Sequence, residues 1–339
     1  MKTQDFDYEL PRERIAQYPI EPRDAARLMV IHRKTHQIEH SHFREIGNYL
    51  SEGDLLVIND TRVIPARLYG KKSGSGGKVE VLLLKKLDSL TWECLVGGKR
   101  VRVNSRIEFM DEIHGLIIDE KSSSQRIIQF NQPIEAYLSK IGNTPLPPYI
   151  HAHLDNPQRY QTVYAQWDGS AAAPTAGMHF TQSLINSLEE KGIRFARVTL
   201  HIGLDTFAPV VEDDPQAHQI HTEWCNIPQE TVDLINQTKQ AKRKVIAVGT
   251  TSVRALESAA MLREDGLLDS YQGVTNLYIL PGFHFKVIDA MITNFHLPRS
   301  TLLMLVSAFA GREWILEVYQ LAIQMGYRFY SFGDAMLIL

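Results

Sequence analysis

Acid–base and anion-binding side chains collect at several places in this chain, each beside residues small enough to let a ligand approach. Residues 169–181 read G-S-A-A-A-P-T-A-G-M-H-F-T, with Thr175, Ala176 and Gly177 leading to an imidazole, His179. Such a run offers little apolar area to bury. The fold is therefore expected to draw little stability from it, and a valine at Ala173 or Ala176 would fill ligand space instead. Small residues permit close approach of backbone to a bound molecule, and glycine reaches conformations closed to other residues. Thr181 reads as the N-cap of an amphipathic helix over 182–191, stopped at Gly192. A nest of backbone N–H groups followed by a helix N-terminus is a cradle for a small molecule. The same residues also fit a tight loop between two helices.

Residues 244–257, K-V-I-A-V-G-T-T-S-V-R-A-L-E, predict a strand, a turn and a helix. The amides of Gly249, Thr250 and Thr251, with Arg254 one turn later, can hold an anion. This is no Walker loop, because the second glycine and its lysine are missing, and G-x-G-x-x-G does not occur. Asn294 and His296 interrupt the apolar run over 289–301, D-A-M-I-T-N-F-H-L-P-R-S-T. A buried Asn or His must be hydrogen-bonded, so each braces backbone or faces a polar ligand. His201 and Asp205 end a strand expected over 194–207. Asp60 and Arg62 follow the apolar strand D-L-L-V-I-N, at the edge where ligand groups sit in open α/β sheets. A mutual ion pair is the plainer reading of those two. H-Q-I-H-T-E-W over 218–224 offers zinc-ligand residue types in His218, His221 and Glu223. The proline before it and C-N-I-P after it suggest strand, where residues three apart face opposite sides. No metal is expected.

Further strands are expected at 27–32 and 277–279, short helices at 43–50 and 134–141, and longer helices at 231–242 and 302–310. From 64 to 149 the texture changes to short alternating runs such as V-E-V-L-L-L, W-E-C-L-V and R-I-I-Q-F, separated by turn residues. That spacing is typical of a compact all-β barrel or sandwich. N-T-P-L-P-P-Y over 143–149 is too proline-rich for helix or central strand and marks the return. The expected architecture is an α/β domain over 1–63 and 150–339, a mixed sheet with helices, carrying an inserted all-β barrel-like domain over 64–149.

With 339 residues, 44% hydrophobic and 22% charged, the composition is that of an ordinary globular chain. No apolar run approaches the ~18 residues that span a membrane. The opening M-K-T-Q-D-F-D-Y has no signal-peptide core. Cys94 and Cys225 cannot make a disulfide framework or a four-thiolate zinc site, which suits a reducing cytoplasm. The net charge of −3 conceals a segregation: residues 62–106 hold eleven Lys and Arg against three acids, an excess of +8, leaving −11 elsewhere. That is the footprint of a polyanion-binding module joined to an acidic body. Nucleic acid is the expected partner.

Five segments occur in fixed order: N-D-T-R-V-I-P-A-R-L, A-A-P-T-A-G-M-H-F, A-V-G-T-T-S-V-R-A-L-E, T-N-F-H-L-P-R-S-T-L-L-M-L-V and Y-R-F-Y-S-F-G-D-A-M-L-I. Together they resemble the S-adenosylmethionine:tRNA ribosyltransferase-isomerase family of queuosine biosynthesis, over essentially the whole chain. The resemblance implies a cytoplasmic bacterial enzyme whose fold is an α/β domain carrying an all-β domain. Its partners would be S-adenosylmethionine and a tRNA bearing 7-aminomethyl-7-deazaguanine at the wobble position. The ribosyl part of S-adenosylmethionine would pass to the aminomethyl group and rearrange to an epoxycyclopentanediol, giving epoxyqueuosine, adenine and methionine. S-adenosylmethionine is then a consumed co-substrate, and no cofactor is implied.

Under that reading, His179, His201, His296 and Glu223 are the candidates for base and acid. Arg254 and the amides of Gly249, Thr250 and Thr251 suit the methionine carboxylate. Asp60, Thr175 and Asn294 suit the sugar hydroxyls, with Arg62, Ala176 and Gly177 beside them. Lys71, Lys72, Lys78, Lys99, Arg100 and Arg102 would meet tRNA. A monomer is expected. Leu204 and Asp205 stand where the family more often has a small residue and glycine, and Ile220 where methionine is common. An S-adenosylmethionine-dependent RNA methyltransferase is the alternative, but it should show a glycine-rich loop after its first strand. A non-catalytic RNA-binding protein would explain the basic segment and leave the histidines and threonines at strand ends without a task.

Overall fold

Most of the apolar runs become strands, and these assemble into two large sheets. The structure, a computed structural model, describes residues 1–110, 112–121, 124–152, 154–203, 209–220, 222–262 and 268–339. In chain order, β1 (Arg27–His32) and β2 (Gln37–His42) form a hairpin, and β3 (Leu55–Asn59) leads into β4 (Thr61–Val63). Next come β5 (Arg67–Lys72), β6 (Lys78–Lys86), β7 (Thr91–Gly97), β8 (Arg106–Glu108), β9 (His114–Glu120) and β10 (Gln125–Phe130). Helix α1 (Leu138–Ile141) and the short β11 (Gly142–Asn143) follow. The chain continues through β12 (Trp167–Ser170), a 3₁₀ turn (Thr175–His179), α2 (Gln182–Glu190), β13 (Arg194–Leu200) and β14 (Glu223–Ile227). Last come α3 (Gln229–Gln240), β15 (Val245–Val248), α4 (Thr250–Ala260), β16 (Tyr271–Thr275), β17 (Ala290–Asn294), α5 (Thr301–Ala310), α6 (Arg312–Gln324) and β18 (Ala335–Ile338).

The chain divides into two units: Met1–Arg62, Pro148–Trp167 and Ala173–Leu339 form one, and Val63–Pro147 with Asp168–Ala172 the other. It passes between them along β4 and β12, which pair with each other. The small-residue stretch over 169–181 is therefore divided, with its first four residues in the second unit.

In the first unit the strand order is β16-β14-β13-β3-β15-β17-β18-β1-β2. Neighbours β13, β3, β15 and β17 run parallel, while β18 is antiparallel to β17. Every residue of β3, β15, β17 and β18 is buried, as a sheet covered on both faces requires. One face carries Leu56, Ile58, Ile246, Val248, Ala290 and Ile292 into a core shared with Phe43, Phe180, Leu184 and Leu188. The last two are a turn apart on α2, whose N-cap Thr181 accepts the Leu184 N–H at 3.2 Å. No helix among the described residues is long and apolar enough to cross a membrane.

Two expectations need correction. The strand expected at 277–279 is absent, and β16 lies a few residues earlier. The backbone at Leu277 bonds to side chains instead of a ladder: its N–H donates to Thr275 Oγ1 at 3.1 Å and its C=O accepts Arg254 Nε at 3.0 Å. β13 stops at Leu200, and Leu204 and Asp205 lie outside the described residues.

In the second unit, β5, β6, β7, β10, β9 and β8 form a closed antiparallel barrel, sealed by β5 against β8 through Lys71–Glu108 and Lys72–Ile107. Closure leaves no ring strand with an unpaired edge. Leu68, Val81, Leu83, Cys94, Ile107, Ile117 and Ile128 are all buried, and alternation along each strand turns the intervening residues outward. Gly70 lies where β8 seals the ring, since a Cβ there would meet Glu108 O and Ile107 Cγ2, each at 2.8 Å.

Candidate active site

Because β13, β3, β15 and β17 are parallel neighbours, the segments that follow them emerge along a common edge. β3 delivers Asp60 and Thr61, β13 delivers His201, β15 delivers Gly249 to Thr251, and β17 ends in Asn294 with His296 just beyond. Carboxyl ends of parallel strands are where open α/β sheets bind ligands. The sheet thus brings together residues up to 236 positions apart in the sequence.

Asn294 joins two of the candidates. Thr175 Oγ1 donates to its Oδ1 at 3.3 Å, and its Nδ2 donates to His179 Nε2 at 3.2 Å and to the Tyr330 carbonyl at 3.0 Å. With Nδ2 as donor, the hydrogen-bond network assigns His179 Nε2 as acceptor and puts the ring proton on Nδ1. His179 is 5% exposed and packs on Phe43. Burial, helped by Arg328 and Arg23, lowers its pKa to about 3. His296 Nε2 lies 2.7 Å from Thr293 Oγ1, and burial lowers its pKa to about 3 as well. Its backbone is held on both sides: the N–H donates to Tyr319 Oη at 3.1 Å, and the carbonyl accepts the Tyr8 hydroxyl. Both imidazoles are neutral near pH 7.

Thr175, Asn294 and His296 line a cavity together with Tyr149, Ser300 and Ser331. Tyr149 Oη and Ser331 Oγ are 2.7 Å apart. Neither residue was singled out from the sequence, where Tyr149 closes a proline-rich return and Ser331 lies within the last of the five ordered segments. Their neighbourhood arises only when segments 182 positions apart meet.

Asp60 is 3% exposed and accepts Thr199 Oγ1 at 2.7 Å. Burial raises its carboxyl pKa, against opposing contributions from the Thr199 hydroxyl and Arg197. Arg62 lies on the other face of β4 from the buried Thr61, exposed, with Nη2 donating to the Ala165 carbonyl at 2.7 Å. The structure does not bring it to the Thr61 side. Thr61 Oγ1 and His201 Nδ1 are 2.8 Å apart, and the half-buried His201 ring stacks on Trp224 with centroids at 5.0 Å.

Arg254 and Glu223, expected to do separate work, form a buried ion pair with side chains 4% exposed on each side. Glu223 also accepts the Gly203 N–H at 3.1 Å. Arg254 Nη2 has no hydrogen-bond partner among the described residues, and neither has Thr251 Oγ1 in the first turn of the same helix. The N–H groups of that turn have no intrahelical acceptor. Gly249, the N-cap, takes φ +89°, and a Cβ there would come within 3.7 Å of Ala176 Cβ. The turn holding Thr175 to Gly177 therefore approaches the start of α4.

The expectation that this turn contributes little to the core is overturned. Ala171, Ala172, Ala173, Ala176 and Phe180 are all 3% exposed or less. Gly177 is small because of Tyr164, whose hydroxyl would lie 2.0 Å from an added Cβ. These side chains are short because neighbours are packed against them.

In the second unit the six expected RNA contacts come from separate segments but gather at one end of the barrel. Lys71 and Lys78 pair across β5 and β6, and Lys72 Nζ donates to the Arg100 carbonyl at 2.8 Å. Gly98 lies against the Lys78 carbonyl, which holds the turn containing Lys99, Arg100 and Arg102 beside the start of β6. All six are exposed except the half-buried Lys72. Among the described residues no three His, Cys, Asp or Glu side chains are grouped to hold a metal ion. His218 faces Glu212 at 2.9 Å, and His221 lies outside the described residues.

A strand-edge site on a mixed α/β sheet, in a chain that also carries a closed basic barrel, defines the class of molecule. The chain belongs to the family described as queuosine biosynthesis protein, whose model matches residues 3–338. It is 50% identical over 343 residues to the S-adenosylmethionine:tRNA ribosyltransferase-isomerase of Desulfitobacterium hafniense, covering 100% of both chains. It is 52% identical over 339 residues to the protein of that name from Thermosipho melanesiensis, again covering 100% of both. A crystal structure of S-adenosylmethionine tRNA ribosyltransferase from Thermotoga maritima is similar over 99% of this chain and 100% of that one, with 42% identity and a TM-score of 0.58.

Proposed function

We propose that this chain transfers the ribosyl part of S-adenosylmethionine to the aminomethyl nitrogen of 7-aminomethyl-7-deazaguanine at the wobble position of tRNA and isomerises it, giving epoxyqueuosine. Methionine leaves from C5′ and adenine from C1′. S-adenosylmethionine is consumed, the enzyme carries no resident cofactor, and it works as a cytoplasmic monomer. The observation that carries this reading is full-length identity of 50% and 52% to enzymes of that name.

The strand edge supports a division of labour. The sulfonium makes the C5′ protons acidic, and a base must lie within hydrogen-bonding reach. We assign that task to His201, the half-buried imidazole, oriented by Thr61. His179 and His296 stay neutral near pH 7 and act as hydrogen-bonding groups, His179 by setting the Asn294 amide. Asn294 and Thr175 would hold polar edges of the nucleoside. Asp60, buried and hydrogen-bonded to Thr199, would hold a sugar hydroxyl. The first-turn amides of α4 suit the methionine carboxylate, and Arg254, already paired with Glu223, stands behind them on the same helix. The cations at one end of the barrel would hold tRNA phosphates.

The test is to incubate the protein with tRNA and S-adenosylmethionine labelled first in the ribose and then in the methyl group. Ribose label on the RNA is the expected result. Methyl label would establish a methyltransferase, and no label with retained binding a non-catalytic RNA-binding protein.

A further inference from the structure

At the opposite edge of the first unit's sheet, where β15 and β17 begin and β1 and β18 end, lies a groove rich in cations. Lys34, Lys242, Arg243 and Lys244 are exposed there, and none has an acidic partner among the described residues. Two further cations in the groove are tied down: Arg33 Nη2 donates to the Asp289 carbonyl at 2.7 Å, and Lys239 Nζ to the Lys286 carbonyl at 2.6 Å. Asp289 contributes the acidic side chain of the lining, and its Oδ2 is occupied by the Val245 N–H at 2.8 Å. These four cations line the groove without an ion-pair partner among the described residues and outnumber the Asp289 carboxylate beside them, on a chain that carries a charge of −11 outside residues 62–106. A concave surface in which one sign of charge predominates concentrates counter-ions.

We propose that this groove is a second contact for the phosphate backbone of the RNA substrate, on the strand edge opposite the candidate active site. The proposal rests on the reading of tRNA as substrate. β15, the strand between the two edges, has four residues and spans about 13 Å. A nucleic-acid strand carries a phosphate every ~3.4 Å along its axis, so a tRNA is many phosphates longer than that distance and can reach both edges around the surface. A membrane surface fits less well, because anionic-lipid binding by a folded surface gains from exposed aromatic and aliphatic anchors. The lining here offers Ile288, 5% exposed, and Leu339.

The test compares the intact chain with the triple variant Lys34→Glu, Lys242→Glu, Lys244→Glu, and with the triple alanine variant in case charge reversal perturbs folding. tRNA affinity is measured across a salt series, together with S-adenosylmethionine affinity, thermal unfolding and binding of inorganic tripolyphosphate. We expect tRNA affinity to fall about tenfold or more near 0.1 M salt, and the slope of log affinity on log salt to become shallower by about two. The alanine variant should show a smaller change of the same sign. S-adenosylmethionine affinity and melting temperature should hold. Unchanged tRNA affinity and slope in both variants overturn the proposal, as does loss of tripolyphosphate binding alone, which would mark a small-polyanion site. If the wild-type chain binds tRNA in this salt-dependent way but transfers no ribosyl group, the functional reading fails while the groove's RNA contact stands.

Discussion

His179 and His296 each have a pKa lowered to about 3 by burial, whereas an unfolded histidine takes up its proton near pH 6.5. The unfolded chain therefore binds more protons between these values, so stability rises with pH across the window. It is complete above about pH 6.5 and is lost as pH falls towards 3, by up to ~1.4 kcal/mol per unit for each histidine. Urea unfolding at pH 7 and pH 5 should show the His179→Gln variant losing about 2 kcal/mol less than wild type over that interval. Equal losses would mean that His179 is not held neutral by the fold. The catalytic assignment separates from the structural one in the same way. His201→Ala should lower single-turnover ribosyl transfer by ~10²–10⁴ with a nearly unchanged melting temperature. His179→Ala should lower the melting temperature and affect transfer through the Asn294 amide it sets. The reverse pattern would exchange the two roles.

At the scale of elements, the 3₁₀ turn Thr175–His179 and the start of α4 behave as packed parts of the core. Ala176 belongs to the same core cluster as Tyr164, Phe180 and Val248. Ala176→Val should therefore destabilise the fold by about 1–3 kcal/mol through overpacking, where the sequence suggested a change felt by the ligand alone. Gly177→Ala should cost at least as much, because its Cβ would displace the buried Tyr164 hydroxyl. Thermal unfolding of both variants without ligand decides the matter, and a wild-type melting temperature for either would show the turn able to yield. Gly249 has a different reason to be glycine. Its φ of +89° with ψ 152° costs a residue with a Cβ about 1–3 kcal/mol, and it sets the direction in which α4 presents its first amides.

For the molecule as a whole, charge is divided between a basic barrel and an acidic body. Reversing Lys71, Lys72, Arg100 and Arg102 to Glu should weaken tRNA binding strongly at low salt and less as salt rises. Affinity for free S-adenosylmethionine should be preserved. Equal damage to both affinities would argue against a separate RNA-binding role for the barrel. Activity should also survive exhaustive chelation, since His218 and Glu223 already face Glu212 and Arg254. Loss on chelation with recovery on added zinc would return those two side chains to consideration as ligands.

What the sequence determined was local or repetitive. The apolar run over 54–59 gives a strand buried on both faces because each of its central residues is apolar. The alternating runs after residue 64 give a barrel because their period matches the pleat. Thr181 and Gly249 announced a helix start and a strand-to-helix turn through capping and backbone freedom, which act within a few residues. The carboxyl-edge position of Asp60 was also legible from the apolar strand before it, whereas the parallel order of β13, β3, β15 and β17, which puts His201, Thr250 and Asn294 on the same edge, was not. Only the tertiary structure decided that Glu223 and Arg254 neutralise each other, that Tyr149 meets Ser331, and that Arg62 turns away from Thr61. It also decided that Ala176 and Gly177 are short to accommodate neighbours from other segments. Ion pairs and close packing act over a few ångströms between residues tens to hundreds of positions apart. Residue type gives each group its capability, but its partner exists only once the sheet has brought the strand ends together.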